Sequence, residues 1–326
     1  MDNIFFEVLR PGINTTYQDE GRFGLQHFGL APGGCMDHKS YLIANALVGN
    51  KENYGALEFA YQGPMLKLVK GKTKIAVTGK VYFKIIYTNN DAIKGECNRS
   101  YNLNDGDIID IIATEKSAYG YLSIDGGFKI DSFFNSESTL VKAKIGPNDG
   151  NKIEKKDKIV INKTSDNKKN FRVIISTEDV NTIRVLKGPQ YHYFSEESKK
   201  SFFLQDYKIT NLTDRMGMRL SGDPLKNIVS TNIRSEGITK GSVQIPADGQ
   251  PIVLLTDHPT IGGYPKIANI ISADYDLLVQ KVPGTKISFK CIDLKEAEQL
   301  YFERYKNISK IIKNINKTKI IKTIRK

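Results

Sequence analysis

The run Val282-Pro283-Gly284-Thr285-Lys286-Ile287-Ser288-Phe289-Lys290-Cys291 opens on an apolar anchor, passes a proline–glycine turn, and then alternates polar and apolar residues without a break. Alternation of period two buries one face of a strand, so the run predicts a turn feeding a half-buried β-strand. The same anchor, turn and strand start recur at Leu103-Asn104-Asp105-Gly106-Asp107-Ile108 and across Ile153 to Ile159. Lys74-Ile75-Ala76-Val77 and Val81 to Ile86 add short apolar runs rich in β-formers. Repeated hairpin-like entries point to barrels or sandwiches, and the fold class read from the chain is mainly β.

Helices are few. Asp37 is placed to cap a helix running to Val48, with Gly49 as its stop residue. Ser195 opens another through Gln205, and Leu294 begins a third that continues into the tail. Ile308, Ile311, Ile312 and Ile315 have the spacing of an apolar helical stripe, so this tail is expected to dock on the body with a lysine-rich polar face outward. The polar stretch Lys163 to Asn170 lies near the midpoint and reads as a linker. The expected organisation is a β-barrel domain over 1–165, a second over 166–295, and a basic helical tail over 296–326.

The 326 residues carry a formal charge of +12, which resembles a nucleic-acid signal until it is located. No acid follows Glu303, whereas nine cations do, leaving +3 for everything before them. A basic groove spread over a folded domain is therefore not expected, and nucleic acid is not the expected partner. No apolar run approaches the roughly 18 residues of a membrane span, and the start MDNIFFEVLR lacks the pattern of a signal peptide. Cys35, Cys97 and Cys291 are scattered, without zinc-ligand spacing, which fits reduced thiols in the cytoplasm. The four histidines are too dispersed for an expected metal site. Gly71-Lys72-Thr73 has Leu66 where a phosphate loop needs its first glycine, and no nucleophile elbow occurs.

Three stretches combine glycine, charge and turns more densely than connecting loops do. They run from Thr15 to Asp37, from Thr213 to Leu220, and from Ser235 to Pro265. Glycine lets backbone N–H groups approach an anion, and arginine clamps a carboxylate or phosphate through two parallel hydrogen bonds. Nearby carboxylates serve as bases or hold the guanidinium in place. The residues by themselves are equally compatible with barrel corners and structural ion pairs.

The motifs Gln18-Asp19-x-Gly21-Arg22-x-Gly24, Met36-Asp37, Ala44-Asn45-x-Leu47-Val48-Gly49-Asn50 and Leu57-Glu58 resemble the start of the biotin-dependent carboxyltransferase family. That family is also called allophanate hydrolase subunit 2 or KipI antagonist, and includes the C subunit of 5-oxoprolinase. Asp214-Arg215-Met216-Gly217-x-Arg219-Leu220, Ser235-Glu236-Gly237, Gly241 to Pro246 and Gly262-Gly263-Tyr264-Pro265-Lys266-Ile267-Ala268 resemble its second half. The resemblance implies two cyclophilin-like β-barrel domains with a ligand cleft between them. It implies partners too: a KipI-like subunit (the B subunit of 5-oxoprolinase) and a LamB/YcsF-like subunit (its A subunit). Together these open 5-oxoproline to L-glutamate with ATP and magnesium shared with the partner subunits. Two other functions within the resemblance are carboxyl transfer from carboxybiotin, carried on another protein, to urea or a similar amide, and regulatory binding of a KipI-like inhibitor.

Carried onto this chain, the resemblance makes Asp19, Asp37, Asp214, Arg215, Glu236 and Asp257 the candidate catalytic residues. Arg22, Arg219, Gln244, Gly262, Gly263 and Tyr264 become the candidate substrate-binding residues. Two departures stand out. Relatives usually read Pro-Pro-Ser-Gly-Ala-Met-Asp where this chain has Ala31-Pro32-Gly33-Gly34-Cys35-Met36-Asp37, so a serine hydroxyl is missing at Gly33. They tend to have Arg-Gln-Thr-Thr where it has His258-Pro259-Thr260-Ile261. Cys35 is expected to be a small buried apolar side chain.

Overall fold

The computed structural model describes residues 3–165, 169–175 and 180–317, with the backbone alone for 316 and 317. The centre of the polar midpoint stretch, 166–168, and the final nine residues of the basic tail lie outside the described residues. The chain divides into two compact units. The first comprises Met1–Arg22, Gly33–Ser176 and Asn307–Lys326; the second comprises Phe23–Pro32 and Thr177–Lys306.

The first unit holds β1 (Phe5–Arg10), β2 (Thr16–Gln18), β3 (Ala56–Ala60), β4 (Met65–Val69), β5 (Lys72–Thr78), β6 (Val81–Ile86), β7 (Ala92–Lys94), β8 (Arg99–Asn104), β9 (Ile108–Thr114), β10 (Tyr119–Ile124) and β11 (Lys158–Val160). They form a six-stranded sheet in the order β11-β1-β4-β9-β6-β7 and a five-stranded sheet in the order β2-β3-β10-β5-β8. Phe6, Leu66, Phe83 and Ile109 from one sheet meet Leu57, Ile75, Val77 and Leu122 from the other in a single core. Alternation decides the other face of the five-stranded sheet. Between Ile75 and Val77, Ala76 points the opposite way and packs against Ile43, Leu47 and Val48 of helix α1 (His38–Val48). That helix begins at Asp37, whose carboxylate accepts the Ser40 N–H at 3.0 Å, and ends at Gly49 in the left-handed conformation. Both ends fall where the sequence puts them.

In the second unit β12 (Thr182–Lys187), β13 (Tyr207–Thr213), β14 (Gly217–Ser221), β16 (Ser242–Gln244), β17 (Ile252–Leu254), β19 (Lys266–Ile270) and β20 (Lys286–Cys291) close a barrel in the order β12-β19-β16-β17-β14-β13-β20. The short β15 (Glu236–Gly237) and β18 (Ile261–Gly262) pair beside it. Helix α2 (Glu196–Leu204), capped by Ser195, stacks Phe202 on Phe289 of β20 with ring centres 4.7 Å apart. A short helix α3 (Tyr275–Val279) precedes β20, and α4 (Leu294–Lys317) follows it. Early in α4, Ala297 and Leu300 join a cluster with Ile271 and Ile292 of the second unit. Late in α4, Ile315 is fully buried with the α1 residues of the first. The isoleucine stripe is thus a docked face, each fully buried isoleucine being worth about 1.5–3 kcal/mol.

The recurring element of the sequence has one geometry in three places. Asp107 N–H bonds Asn104 O at 3.0 Å, Asp157 N–H bonds Glu154 O at 3.2 Å, and Thr285 N–H bonds Val282 O at 3.1 Å. The third residue of each turn, Gly106, Lys156 or Gly284, has positive φ, as this turn type demands. Each turn then clasps a strand through a reciprocal pair of backbone bonds, at Leu68, Val8 and Ile209 respectively. A mainly β chain, repeating a turn that clasps a strand, is the observed fold.

Candidate functional site

In the first unit the candidate residues knit one network. Asp19, just past β2, accepts hydrogen bonds from Gly21 N–H at 2.8 Å, Ser136 Oγ–H at 2.7 Å and Glu137 N–H at 2.6 Å. The wholly buried Arg22 donates to the Ser138 carbonyl. Asp19 and Arg22 therefore both fasten the 136–138 loop. Asp37, the cap of α1, lies two residues beyond Cys35, whose N–H donates to the Asp19 carbonyl at 2.8 Å. The Asp37 N–H donates to Tyr121 OH at 2.7 Å, and that phenol donates to Glu58 at 2.7 Å. Glu58 also accepts the Met36 N–H at 2.7 Å. Burial and the neighbouring Glu58 push the Tyr121 phenol well above its ordinary range, so it remains a donor. Burial likewise raises the carboxyl of Glu137, opposed by the N–H of Gly55 and reinforced by Asp19.

In the second unit the candidates fall into three groups. Arg215 grips Asp257 in a fork, Nε to Oδ2 at 2.8 Å and Nη2 to Oδ1 at 2.9 Å, with Arg215 buried and Asp257 largely so. Asp214 beside it accepts Met216 N–H at 2.8 Å and caps the turn into β14. His258, buried next to Asp257, has Nδ1 at 2.6 Å from the Pro259 carbonyl. A carbonyl only accepts, so Nδ1 carries the proton and Nε2 the lone pair. Burial, with Lys240 close by, lowers the pKa of this imidazole. Arg219 pairs with Asp248 at the surface as a second, separate group.

The third group is built on the edge of the barrel. Gln244 of β16 and Lys266 of β19 are direct cross-strand partners, and both are buried. Lys266 Nζ donates to Glu236 on β15, and Gln190 Nε2 reaches the same carboxylate oxygen at 2.7 Å. The hydrogen bond from Lys266 holds the Glu236 carboxyl below its usual range. Gly262 pairs with Glu236 across β15 and β18, and a Cβ at this glycine would stand 2.6 Å from Gln244 Nε2. That nitrogen has no hydrogen-bond partner among the described residues. Gly263 accepts Ile233 N–H at 2.9 Å through its carbonyl, and Tyr264 stays partly exposed beside it. An ammonium and a carboxamide on one carboxylate oxygen, with a second carboxamide on the facing strand, are donors of the kind that a small carboxylate, carbonyl or amide accepts. Among the described residues no group of three His, Cys, Asp or Glu side chains is placed to hold a metal ion.

Residues 28–291 match the family described as the carboxyltransferase domain, subdomains A and B. The chain belongs to this family. It is 33% identical to the C subunit of 5-oxoprolinase from Haemophilus influenzae over 295 residues, covering 90% of this chain and 93% of that protein. It is 31% identical to the C subunit of the Escherichia coli 5-oxoprolinase over 309 residues, covering 91% and 96%. Among solved structures, the urea amidolyase of K. lactis superposes with a TM-score of 0.85 at 28% identity, over 95% of this chain and 20% of that one.

Within this chain, the Asn45 and Asn50 of the α1 motif are fasteners. Asn45 donates to Tyr54 O at 2.7 Å, and Asn50 donates to Ile124 O at 2.8 Å while accepting Gly126 N–H at 3.0 Å. The sequence reading missed Lys266 and Gln190 as site residues. Lys266 stood inside a quoted motif, and its signal was a lysine at the start of a mainly apolar strand; Gln190, between Pro189 and a tyrosine-rich turn, gave none. Cys35 is buried, as expected. No described helix is long and apolar enough to cross a membrane.

Proposed function

We propose that this chain is the C subunit of an ATP-dependent 5-oxoprolinase, acting in the cytoplasm with KipI-like and LamB/YcsF-like subunits to open 5-oxoproline to L-glutamate. The observation that carries this reading is the match to two 5-oxoprolinase C subunits along 93% and 96% of their lengths. The receptor around Lys266 supports it, because 5-oxoproline offers one carboxylate and one lactam amide. Lys266 and Gln190 bind the carboxylate, and the Tyr264 phenol donates toward the lactam. Opening breaks the ring C–N bond: water supplies hydroxyl to the carbonyl carbon and a proton to the nitrogen. Glu236 holds Lys266 and Gln190 in place for this binding.

A triphosphate carries several negative charges, and the receptor described above supplies one ammonium, Lys266. ATP and its magnesium therefore belong to a partner subunit in this reading. A second reading, carboxyl transfer from carboxybiotin to urea or a related amide, is favoured by the likeness to urea amidolyase. The test is glutamate release from 5-oxoproline and ATP by this chain co-expressed with its KipI-like and LamB/YcsF-like neighbours. Turnover that needs all three supports the proposal, and the isolated chain is expected to show negligible turnover. ATP-driven carboxylation of urea, with no glutamate formed, would replace it by the second reading.

A further inference from the structure

Two donors converge on a single oxygen of Glu236: Lys266 Nζ and, at 2.7 Å, Gln190 Nε2. The two sides of this contact are unequally held. The Lys266 side chain is 5% exposed, while that of Glu236 is 43% exposed. Lys266 belongs to the barrel, and its own N–H donates to Gln190 Oε1 at 3.2 Å, which locks lysine and carboxamide together. Glu236 lies on a two-residue strand paired only with β18. The carboxylate can swing into solvent without disturbing the core, and the ammonium cannot follow it.

A third donor stands next to them. Gln244 lies directly across the ladder from Lys266 and is 5% exposed, yet its Nε2 finds no partner among the described residues. A buried N–H left without an acceptor costs about 1–3 kcal/mol, a penalty tolerated where a ligand removes it. Gly262 lies over that nitrogen, and any larger residue there would crowd it.

We infer that Glu236 is a resident stand-in for a ligand carboxylate: its oxygen marks an anion subsite formed by Lys266, Gln190 and Gln244, which a small carboxylate ligand enters by displacing it. The inference rests on reading this as the substrate site, and adds how the anion gains entry. Because the Glu236 carboxyl is held below its usual range, it stays ionised at neutral pH and the self-occupied state persists there. An internal competitor that fills the site about 90% of the time weakens apparent ligand affinity about tenfold.

The test is calorimetric titration of the full-length chain with 5-oxoproline, with 2-pyrrolidone (the same ring lacking the carboxylate) and with inorganic phosphate. E236A is expected to bind 5-oxoproline about tenfold more tightly than the wild type, with E236Q between them. 2-Pyrrolidone should gain nothing, and K266M in the E236A background should abolish the gain. A larger gain for phosphate than for 5-oxoproline would overturn the carboxylate assignment. Unchanged or weaker binding by E236A would overturn the inference as a whole. Lys266 is buried, so K266M is judged only with an intact melting transition; otherwise E236A with the three ligands decides alone. Glutamate release by the assembled subunits without an affinity gain in E236A rejects this inference and spares the proposed function. A gain without turnover does the reverse.

Discussion

The Arg215–Asp257 fork offers the sharpest perturbation. Its two bonds of 2.8 and 2.9 Å join side chains only 7% and 10% exposed, and Asp257 N–H also bonds the Arg215 carbonyl at 2.8 Å. Asp257→Asn leaves the guanidinium buried against a neutral amide, which is expected to cost about 3–5 kcal/mol. Against a typical stability of about 5–15 kcal/mol, that is a large fraction. Replacing both partners, as in R215M/D257L, removes the stranded charge and should cost far less than either single change. Urea denaturation followed by far-ultraviolet circular dichroism suits a chain with no tryptophan. Single variants that each lose less than about 1 kcal/mol would refute the account of the pair as a buried, mutually dependent charge couple. The double variant also separates structure from chemistry. If it folds and the assembled enzyme turns over normally, Arg215 and Asp257 are a brace. If it folds and activity falls at least tenfold, about 1.4 kcal/mol of transition-state stabilisation, they act in the reaction.

Lys74 is 2% exposed, its Nζ has no hydrogen-bond partner among the described residues, and burial lowers its pKa below the ordinary 10.5. The unfolded chain then binds more protons, so the penalty is fully present below the folded pKa and fades as pH rises toward 10.5. Lys74→Met should therefore stabilise the protein by about 1–3 kcal/mol at pH 7, and less near pH 10. Thermal melts showing the same gap at both pH values would count against a strained amine. Gly262→Ala should lower kcat/KM of the assembled enzyme by about tenfold, roughly 1.4 kcal/mol, through crowding of Gln244, while leaving the melting temperature within a few degrees; unchanged kinetics would remove the Gly262 loop from the site. Asp37→Ala should cost about 1 kcal/mol through the lost α1 cap. A stable variant with dead chemistry would instead place Asp37 in the catalytic set.

Local physics was legible where one residue type answers one backbone demand. Asp37 and Gly49 bound α1 because a carboxylate satisfies free N–H groups and glycine accepts positive φ. The three strand-clasping turns were visible for the same reason, although Lys156 takes the left-handed position without being glycine, which composition conceals. The isoleucine stripe of α4 announced its buried side, but not that Ile315 would meet Ile43 and Leu47, since periodicity names a face and never its neighbour. At the candidate site, the family resemblance nominated Glu236, Gln244 and Gly262. It could not disclose that Lys266 lies opposite Gln244, because register is set by ladders between strands far apart in sequence. Arg215 was carried over as a catalytic candidate, and its fork is filled by Asp257, a pairing between residues far apart in sequence that spacing does not encode.

The partition of the chain has a consequence for its birth on the ribosome. Ile43 and Leu47 of α1 are translated well before the Ile315 that covers them. At about 5–20 residues per second the interval is roughly 15–55 s, during which an apolar helix face stands open. Meanwhile Phe23–Pro32, already synthesised, waits for partners that begin only at Thr177. A nascent chain stalled in that window is a client for chaperones, and overexpression that outruns them should deliver inclusion bodies enriched in molecules lacking α4.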